Sequence, residues 1–283
     1  MKIDGSTKVL CIIGDPIEHS LSPAIQNAAF RELGLDMVYV PFRVAQDRLE
    51  EAVNSIRALN MAGMNVTIPH KEKVMMYLDR VDELARFIGA VNTIVNRDGE
   101  LIGYNTDADG YLESLAVEAG FDPKGKNVII VGAGGAGRAI LCAFLAAEVN
   151  SVVIANRTFD RAKKLADEFR IKNESIEAVD FDGIYPYMKT ADLIVNTTSL
   201  GMMDKGSLDL PLGLLPKGSV VSDIVYRPLK TEFLKKAEAI GLKTHGGLGM
   251  LVYQGAIGFE LWTGRKAPVE AMKKAALEAL KEK

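Results

Sequence analysis

Lys71 and Asp107 are of the types that move protons, and each follows a short apolar segment. Gly63-Met64-Asn65-Val66-Thr67-Ile68-Pro69 reads as a strand that stops at Pro69 and releases Lys71 into the following turn. Gly89–Ile94, entered through small residues after a short Asp82–Ile88 helix, is a second strand and carries Asn92. Leu101–Tyr104 is a third, ending in Asn105-Thr106-Asp107. Thr67, Lys71, Asn92 and Asp107 therefore fall at or near strand ends of one small α/β layer. In such sheets the C-terminal strand ends face the ligand crevice. Together these groups can bind a polyhydroxylated ring and move a proton. Standing alone, Lys71 would read as a solvated surface lysine.

A second constellation precedes it. Val9–Ile13 reads as a buried strand and Gly14-Asp15-Pro16 as its turn, with His19-Ser20-Leu21-Ser22-Pro23 leading into the apolar pattern of Ala24–Leu33. Ser22 before Pro23 makes a good helix cap. A cap needs one hydroxyl, however, and Ser20 supplies another. Two hydroxyls at a helix start suit a small carboxylate, and the residues alone leave both readings open.

The third is Val128–Arg138, VIIVGAGGAGR. β-branched residues Val128–Val131 run into Gly132, Gly134 and Gly137, and Ala139–Ala147 continues with a helical apolar pattern. Strand, glycine turn and helix start form the context of a dinucleotide fingerprint, in which free amides and the helix dipole meet a pyrophosphate. The next strand, Val152–Ala155, ends in Asn156-Arg157-Thr158. An NAD-type site carries an acidic residue here, roughly 20 residues on, for the ribose hydroxyls. This chain has Arg157, with Arg161 one turn further along. Guanidinium groups pair with a 2′-phosphate, so the expected cofactor is NADP. Thr158 also reads as a cap for the Asp160–Phe169 helix.

The elements that position these groups follow from pattern. Met37–Val44 reads as a strand, Asp47–Leu59 as an amphipathic helix, and Asp107 to about Ala119 as a linking helix before the turn-rich Gly120–Gly125. Leu193–Asn196 and Val220–Ile224 are further strands, Thr231–Ile240 a helix closed by Gly241, and Leu251–Thr263 and Val269–Leu280 two last helices. A chain of 283 residues with 48% hydrophobic and 25% charged residues is long and apolar enough for two domains. Its net charge of -3 offers no basic field for nucleic acid. No apolar run is long enough to span a bilayer and the N-terminus is no signal peptide, so neither a membrane nor secretion is expected. Cys11 and Cys142 lie in apolar patterns and read as reduced, buried thiols of a cytoplasmic protein. His19, His70 and His245 lack ligand spacing, so no metal is expected.

Four motifs together, GDPIEHSLSPAIQN (Gly14–Asn27), NVTIPHK (Asn65–Lys71), GAVNTI (Gly89–Ile94) and YNTD (Tyr104–Asp107), closely resemble the shikimate dehydrogenase family along the length of the chain. The resemblance implies a two-domain α/β protein. A Rossmann-type, doubly wound NADP domain (108–243) is inserted into an α/β substrate domain (1–107, completed by 244–283). It implies reversible reduction of 3-dehydroshikimate to shikimate, with Lys71 and Asp107 catalytic. Ser20 and Ser22 would hold the substrate carboxylate, and Thr67, Asn92, Asp107, Tyr226 and Gln254 the rest of the substrate. Gly132, Ala133, Gly134, Gly135, Ala136 and Gly137, then Asn156, Arg157, Thr158 and Arg161, with Ile224 and Gly247, would meet the cofactor. Two departures stand out, Gln26 where the family often has histidine and Ala108 after the YNTD aspartate, and neither is a matched catalytic position. The alternatives are a quinate or dual-substrate enzyme using NAD, a non-catalytic ligand-binding regulator, and another two-domain NADP enzyme such as a folate-type dehydrogenase, since fold alone does not fix function. The paired serines and the arginines count against the first, and retention of Lys71 with Asp107 against the second. Oligomeric state is not encoded legibly; a homodimer is open.

Overall fold

The computed structural model describes residues 3–170, 175–204 and 206–281. It divides into two compact units, one of the residues up to Thr106 with those from Val252 onward, the other of Asp107–Leu251.

The first unit begins with β1 (Lys8–Gly14), α1 (Ser22–Glu32), β2 (Met37–Arg43), α2 (Leu49–Ala58), β3 (Gly63–Val66), β4 (Arg80–Val81), α3 (Glu83–Ile88), β5 (Thr93–Arg97) and β6 (Glu100–Tyr104). Its sheet runs β2-β1-β3-β5-β6-β4. β2 and β3 flank β1 in parallel, whereas β5 is antiparallel to both β3 and β6. The reversal from β5 to β6 comes from Asp98-Gly99, both at positive φ (52° and 95°), the two-residue hairpin turn whose twist suits paired strands. This mixed order brings the end of β3, the start of β5 and the end of β6 to one side, through the pairs Asn65 with Thr93 and Thr93 with Tyr104. β3 ends at Val66, short of the expected Pro69. Beyond it Thr67 N–H still donates to the Ile13 carbonyl (3.0 Å) and Asp15 N–H to the Ile68 carbonyl (3.0 Å), but the Thr67 carbonyl turns to accept from His70 N–H (2.9 Å), and proline can donate none. Leu49, Val53 and Ile56 line one face of α2 against Cys11, Ile13, Met64 and Ile94. At roughly 1.5–3 kcal/mol per buried side chain, that stripe holds the helix on the sheet.

The second unit comprises α4 (Asp107–Ala119), β7 (Asn127–Val131), α5 (Gly135–Ala146), β8 (Ser151–Ala155), α6 (Phe159–Arg170), β9 (Ile176–Val179), α7 (Tyr185–Met188), β10 (Leu193–Asn196), β11 (Val220–Asp223), α8 (Glu232–Ala239) and β12 (Lys243–His245). α9 (Gly247–Thr263) and α10 (Val269–Lys281) complete the described chain. The second sheet runs β12-β11-β10-β7-β8-β9, every pairing parallel. From β7 the chain winds outward through β8 and β9, then returns to β10 on the other side, so β7 and β10 frame the switch point of a doubly wound sheet. The expected return to the first unit at 244 falls inside the second. Lys243–His245 pairs with β11, and His245 is 2% exposed. Asp107 likewise opens α4 of the second unit.

Candidate functional site

The serine turn is built differently from a simple cap. α1 starts at Ser22 itself, its N-cap position is Leu21, and no side chain caps it. The hydroxyl that takes a first-turn amide belongs to Ser20, which accepts from Ser22 N–H at 3.2 Å. The reading of Ser22 as cap is therefore replaced. Pro23 supplies the helix start, and Ser22, 7% exposed, keeps its hydroxyl for other partners. Asn27, one turn along α1, ties this turn to β2. Its Nδ2 donates to the carbonyls of Pro23 and Tyr39 (both 2.8 Å), and its Oδ1 accepts from Tyr39 N–H (3.0 Å).

Where β3 and β6 end and β5 begins, polar side chains replace the apolar alternation. Tyr39 OH donates to Asn65 Oδ1 at 2.5 Å, and Asn65 Nδ2 donates to the Asn92 carbonyl and Thr93 Oγ1 (2.9 Å each). Asn92 Oδ1 accepts from Thr93 Oγ1 (3.0 Å) and Thr106 N–H (2.9 Å), and Asn92 Nδ2 donates to Thr106 Oγ1 (3.0 Å). Thr106 Oγ1 in turn reaches Gln254 Oε1 of α9 at 3.4 Å. Tyr39, Asn65, Asn92, Thr93 and Thr106 are all buried. Burial pushes the Tyr39 phenol well above its ordinary range; the Cys11 charge raises it further, and a hydrogen bond with Ser22 works the other way. A buried network with its donors and acceptors matched is rigid, because each lost bond leaves an unsolvated polar atom.

Lys71 joins this cluster through its backbone. Its carbonyl accepts from Val91 N–H at 2.8 Å, beside Asn92, whose own amide donates to the Tyr104 carbonyl at 3.0 Å. The loop carrying Lys71 is fastened by His70, buried, whose Nε2 donates to the Val44 carbonyl at 2.7 Å. Thr67 and Lys71 are half-buried. Asp107 follows Thr106 directly as the first residue of α4. Gln26, discounted from the sequence, touches the frame of the site. Its Nε2 donates 2.8 Å to the carbonyl of Gly255, the residue after Gln254.

In the second unit the glycine turn sits between β7 and α5 at the switch point. Gly132 has φ 117°, and a Cβ on it would lie 2.6 Å from Thr197 Oγ1. A Cβ on Gly137 would meet the Gly132 carbonyl oxygen at 2.3 Å, so this glycine lets helix and turn close on each other. Around Gly134 and Gly135 there is open space and no side-chain cap on α5, so the first-turn amides face outward unclaimed by a capping residue. Ala133 N–H donates to Asn156 Oδ1 (3.3 Å), which links the turn to the end of β8, and Ala136 is half-buried in the first turn of α5. Asn156 Nδ2 and Arg161 N–H both donate to the Thr158 carbonyl (2.9 and 3.0 Å), so this residue shapes the start of α6 through its backbone. Arg157, Thr158 and Arg161 are exposed, and no carboxylate among the described residues pairs with either guanidinium. That donor set fits NADP. Open glycine amides can take a pyrophosphate, and two uncommitted guanidiniums beside a hydroxyl can take a 2′-phosphate.

Ile224 and Gly247 meet in the same unit, since a Cβ on Gly247 would overlap the Ile224 carbonyl at 2.1 Å. Tyr226, half-buried two residues beyond Ile224, has its phenol pushed up by burial and lowered by the Arg227 charge. His245, at the end of β12, takes part in a buried network that the sequence did not suggest. Its Nε2 lies 3.0 Å from Ser114 Oγ and its Nδ1 2.9 Å from Ser222 Oγ, which accepts from Tyr111 OH at 3.1 Å. Burial lowers the imidazole to about 4, with the Glu118 charge acting against it. Tyr39, Asn65, Thr93 and Thr106 also went unread. The available signal was a polar residue inside an otherwise apolar strand, as in Gly63–Val66. Among the described residues no cluster has the composition of a metal site, and no helix is long and apolar enough to cross a membrane.

A doubly wound parallel sheet with a glycine turn at its switch point, in one chain with a mixed sheet whose strand ends carry a matched polar network, is the build of a nicotinamide-dependent dehydrogenase. Three family descriptions match in order: a shikimate dehydrogenase substrate binding domain at residues 12–94, a shikimate/quinate 5-dehydrogenase at 114–203, and a shikimate 5′-dehydrogenase C-terminal domain at 247–277. The NADP(+) shikimate dehydrogenase of Methanopyrus kandleri is 46% identical, over 99% of this chain and 99% of its own. That of Pyrococcus furiosus is also 46% identical, with the same coverage. The crystal structure of shikimate 5-dehydrogenase from Thermus thermophilus with NADP(H) and shikimate superposes with a TM-score of 0.86 at 40% identity, over 96% of this chain and 99% of that one. The chain belongs to the shikimate dehydrogenase family.

Proposed function

We propose that this protein catalyses the reversible NADP-dependent oxidation of shikimate to 3-dehydroshikimate, the first unit binding substrate and the second NADP. The observation that carries this reading is the buried run of hydrogen bonds from Asn65 through Asn92 and Thr106 to Gln254, beside the backbone of Lys71. Such a frame presents amide and hydroxyl groups at fixed spacing, which suits a ring carrying several hydroxyls. The full-length match to NADP(+)-dependent relatives supports the same reading.

Ser20 and Ser22 take the substrate carboxylate. Ser20 already accepts the Ser22 amide and keeps its own proton to donate. Thr67, Asn92, Gln254 and Asp107 bind ring hydroxyls, and Tyr226 serves the substrate from β11's end. Lys71 takes the proton from the reacting hydroxyl during oxidation and returns it to the carbonyl oxygen during reduction, and Asp107 is the second catalytic residue. NADP+, when bound, supplies the two-electron oxidant for the carbinol carbon. Gly132–Gly137 give the pyrophosphate its amides, Asn156, Arg157, Thr158 and Arg161 hold the 2′-phosphate end, and Ile224 with Gly247 line the nicotinamide end. The two buried cysteines, neither in a disulfide, suit a reducing cytoplasm, and the reading holds for a monomer or a homodimer.

The test is an absorbance assay of the purified protein with shikimate or quinate, each with NADP+ or NAD+. Fastest reduction with shikimate and NADP+ is expected. Turnover mainly with quinate and NAD+ would overturn both the substrate and the role of Arg157. Tight shikimate binding without turnover in any pairing would make the protein a ligand-binding regulator.

A further inference from the structure

Tyr39 sits between the two halves of the proposed substrate site without belonging to either. On one side its backbone is locked to α1 by Asn27, whose Nδ2 also holds the Pro23 carbonyl next to Ser22. On the other its phenol donates to Asn65, the first member of the polar run toward Gln254. The ring is 1% exposed and packs on Trp262 with centroids 6.1 Å apart, and Trp262 Nε1 donates to the Ile94 carbonyl at 2.9 Å. The phenol is therefore fixed at both ends.

The direction of the phenol proton is determined. The Asn92 carbonyl can only accept, so the Asn65 amide nitrogen faces it and Asn65 Oδ1 faces the phenol. Tyr39 must then give its proton to Asn65, and its oxygen is left as an acceptor. At the far end the Thr106 hydroxyl faces two acceptors, Asn92 Oδ1 at 3.3 Å and Gln254 Oε1 at 3.4 Å.

Resting on the shikimate reading above, we infer that Tyr39 is a positioning residue for substrate binding. It fixes the spacing between the serines that take the carboxylate and the Asn65–Asn92–Thr106–Gln254 run that takes the ring hydroxyls. It touches neither substrate nor cofactor. Without its hydroxyl, Asn65 Oδ1 becomes a buried acceptor with no donor, and the run can relax by turning the amide.

The experiment is steady-state kinetics of Tyr39→Phe, which keeps the ring and its contact with Trp262. The KM for shikimate should rise about tenfold, the usual size for a buried acceptor left unpaired, while kcat changes less and the KM for NADP+ stays put. Tyr39→Phe combined with Asn65→Ala should cost no more than the larger single effect, because both break one run. An unchanged shikimate KM, or equal rises for shikimate and NADP+, would overturn the inference. If Tyr39→Phe does not fold, Asn65→Asp reads the same run from its other end and must show the same shikimate-specific rise. Wild-type protein assayed alongside separates the two levels. Failure to turn over shikimate overturns the proposed function and the inference with it, whereas turnover with an unmoved Tyr39→Phe overturns the inference alone.

Discussion

The two units solve the problem of holding a ligand with different parts of the chain. In the second, the turn after β7 works through backbone: glycines at Gly132 and Gly137 leave no room for a Cβ, and Gly134 and Gly135 leave space open. In the first, the ends of β3, β5 and β6 work through side chains that bond to one another before any ligand arrives. The backbone device serves a group common to many cofactors, a pyrophosphate. The side-chain device, in the function proposed above, takes one molecule and must fix several distances at once. Generality here comes from amides, and selectivity from mutually constrained amide and hydroxyl side chains.

The largest effect that tests this contrast is expected from Lys71→Ala. Removing the proton carrier should lower kcat by roughly 10²–10⁴ with a much smaller change in shikimate binding. Near-native turnover would show that the first unit only binds. Next is acid stability of the second unit. The His245 imidazole is lowered from 6.5 to about 4 by burial, so the folded state refuses a proton that the unfolded chain accepts. Its stabilising share is complete above pH 6.5 and lost as pH falls toward 4, about 3 kcal/mol in all. His245→Gln should flatten the fall of the urea midpoint across that window, and an equally steep fall in the variant would place the acid sensitivity elsewhere. The smallest effect belongs to Arg157→Ala, which should raise the KM for NADP+ about tenfold and that for NAD+ far less. Equal changes would remove Arg157 from the phosphate site.

The backbone device was legible in the sequence because a glycine turn is written in residue type. Val128–Gly137 names its strand, its turn and its helix start, and the arginine at the end of β8 names the cofactor by contrast with an acid. The side-chain device was legible only at its ends. Lys71, Asn92 and Asp107 carry chemistry by type, whereas Tyr39 and Thr93 look like ordinary strand residues until the register pairs Asn65 with Thr93. The Asp98-Gly99 turn sets only the neighbouring register, Thr93 with Tyr104, and the β3–β5 pairing joins segments too far apart in the chain for any local turn to announce it. Ser22 failed as a cap because the helix begins one residue earlier than a capping serine would require. The boundary near 244 was misplaced because three residues, Lys243–His245, are too short a strand to show a period.

One consequence reaches into biosynthesis of the chain itself. The second unit is continuous, Asp107–Leu251, whereas the first is completed by residues from Val252 onward, with α10 packed on α1 and Gln26 bonded to Gly255. A chain leaving the ribosome can finish the later-starting unit while the earlier one still waits for its closing helices. The strands of the N-terminal sheet are thus made well before α10, the helix that packs on α1, and the segment from Val252 onward acts as the sheet's latch.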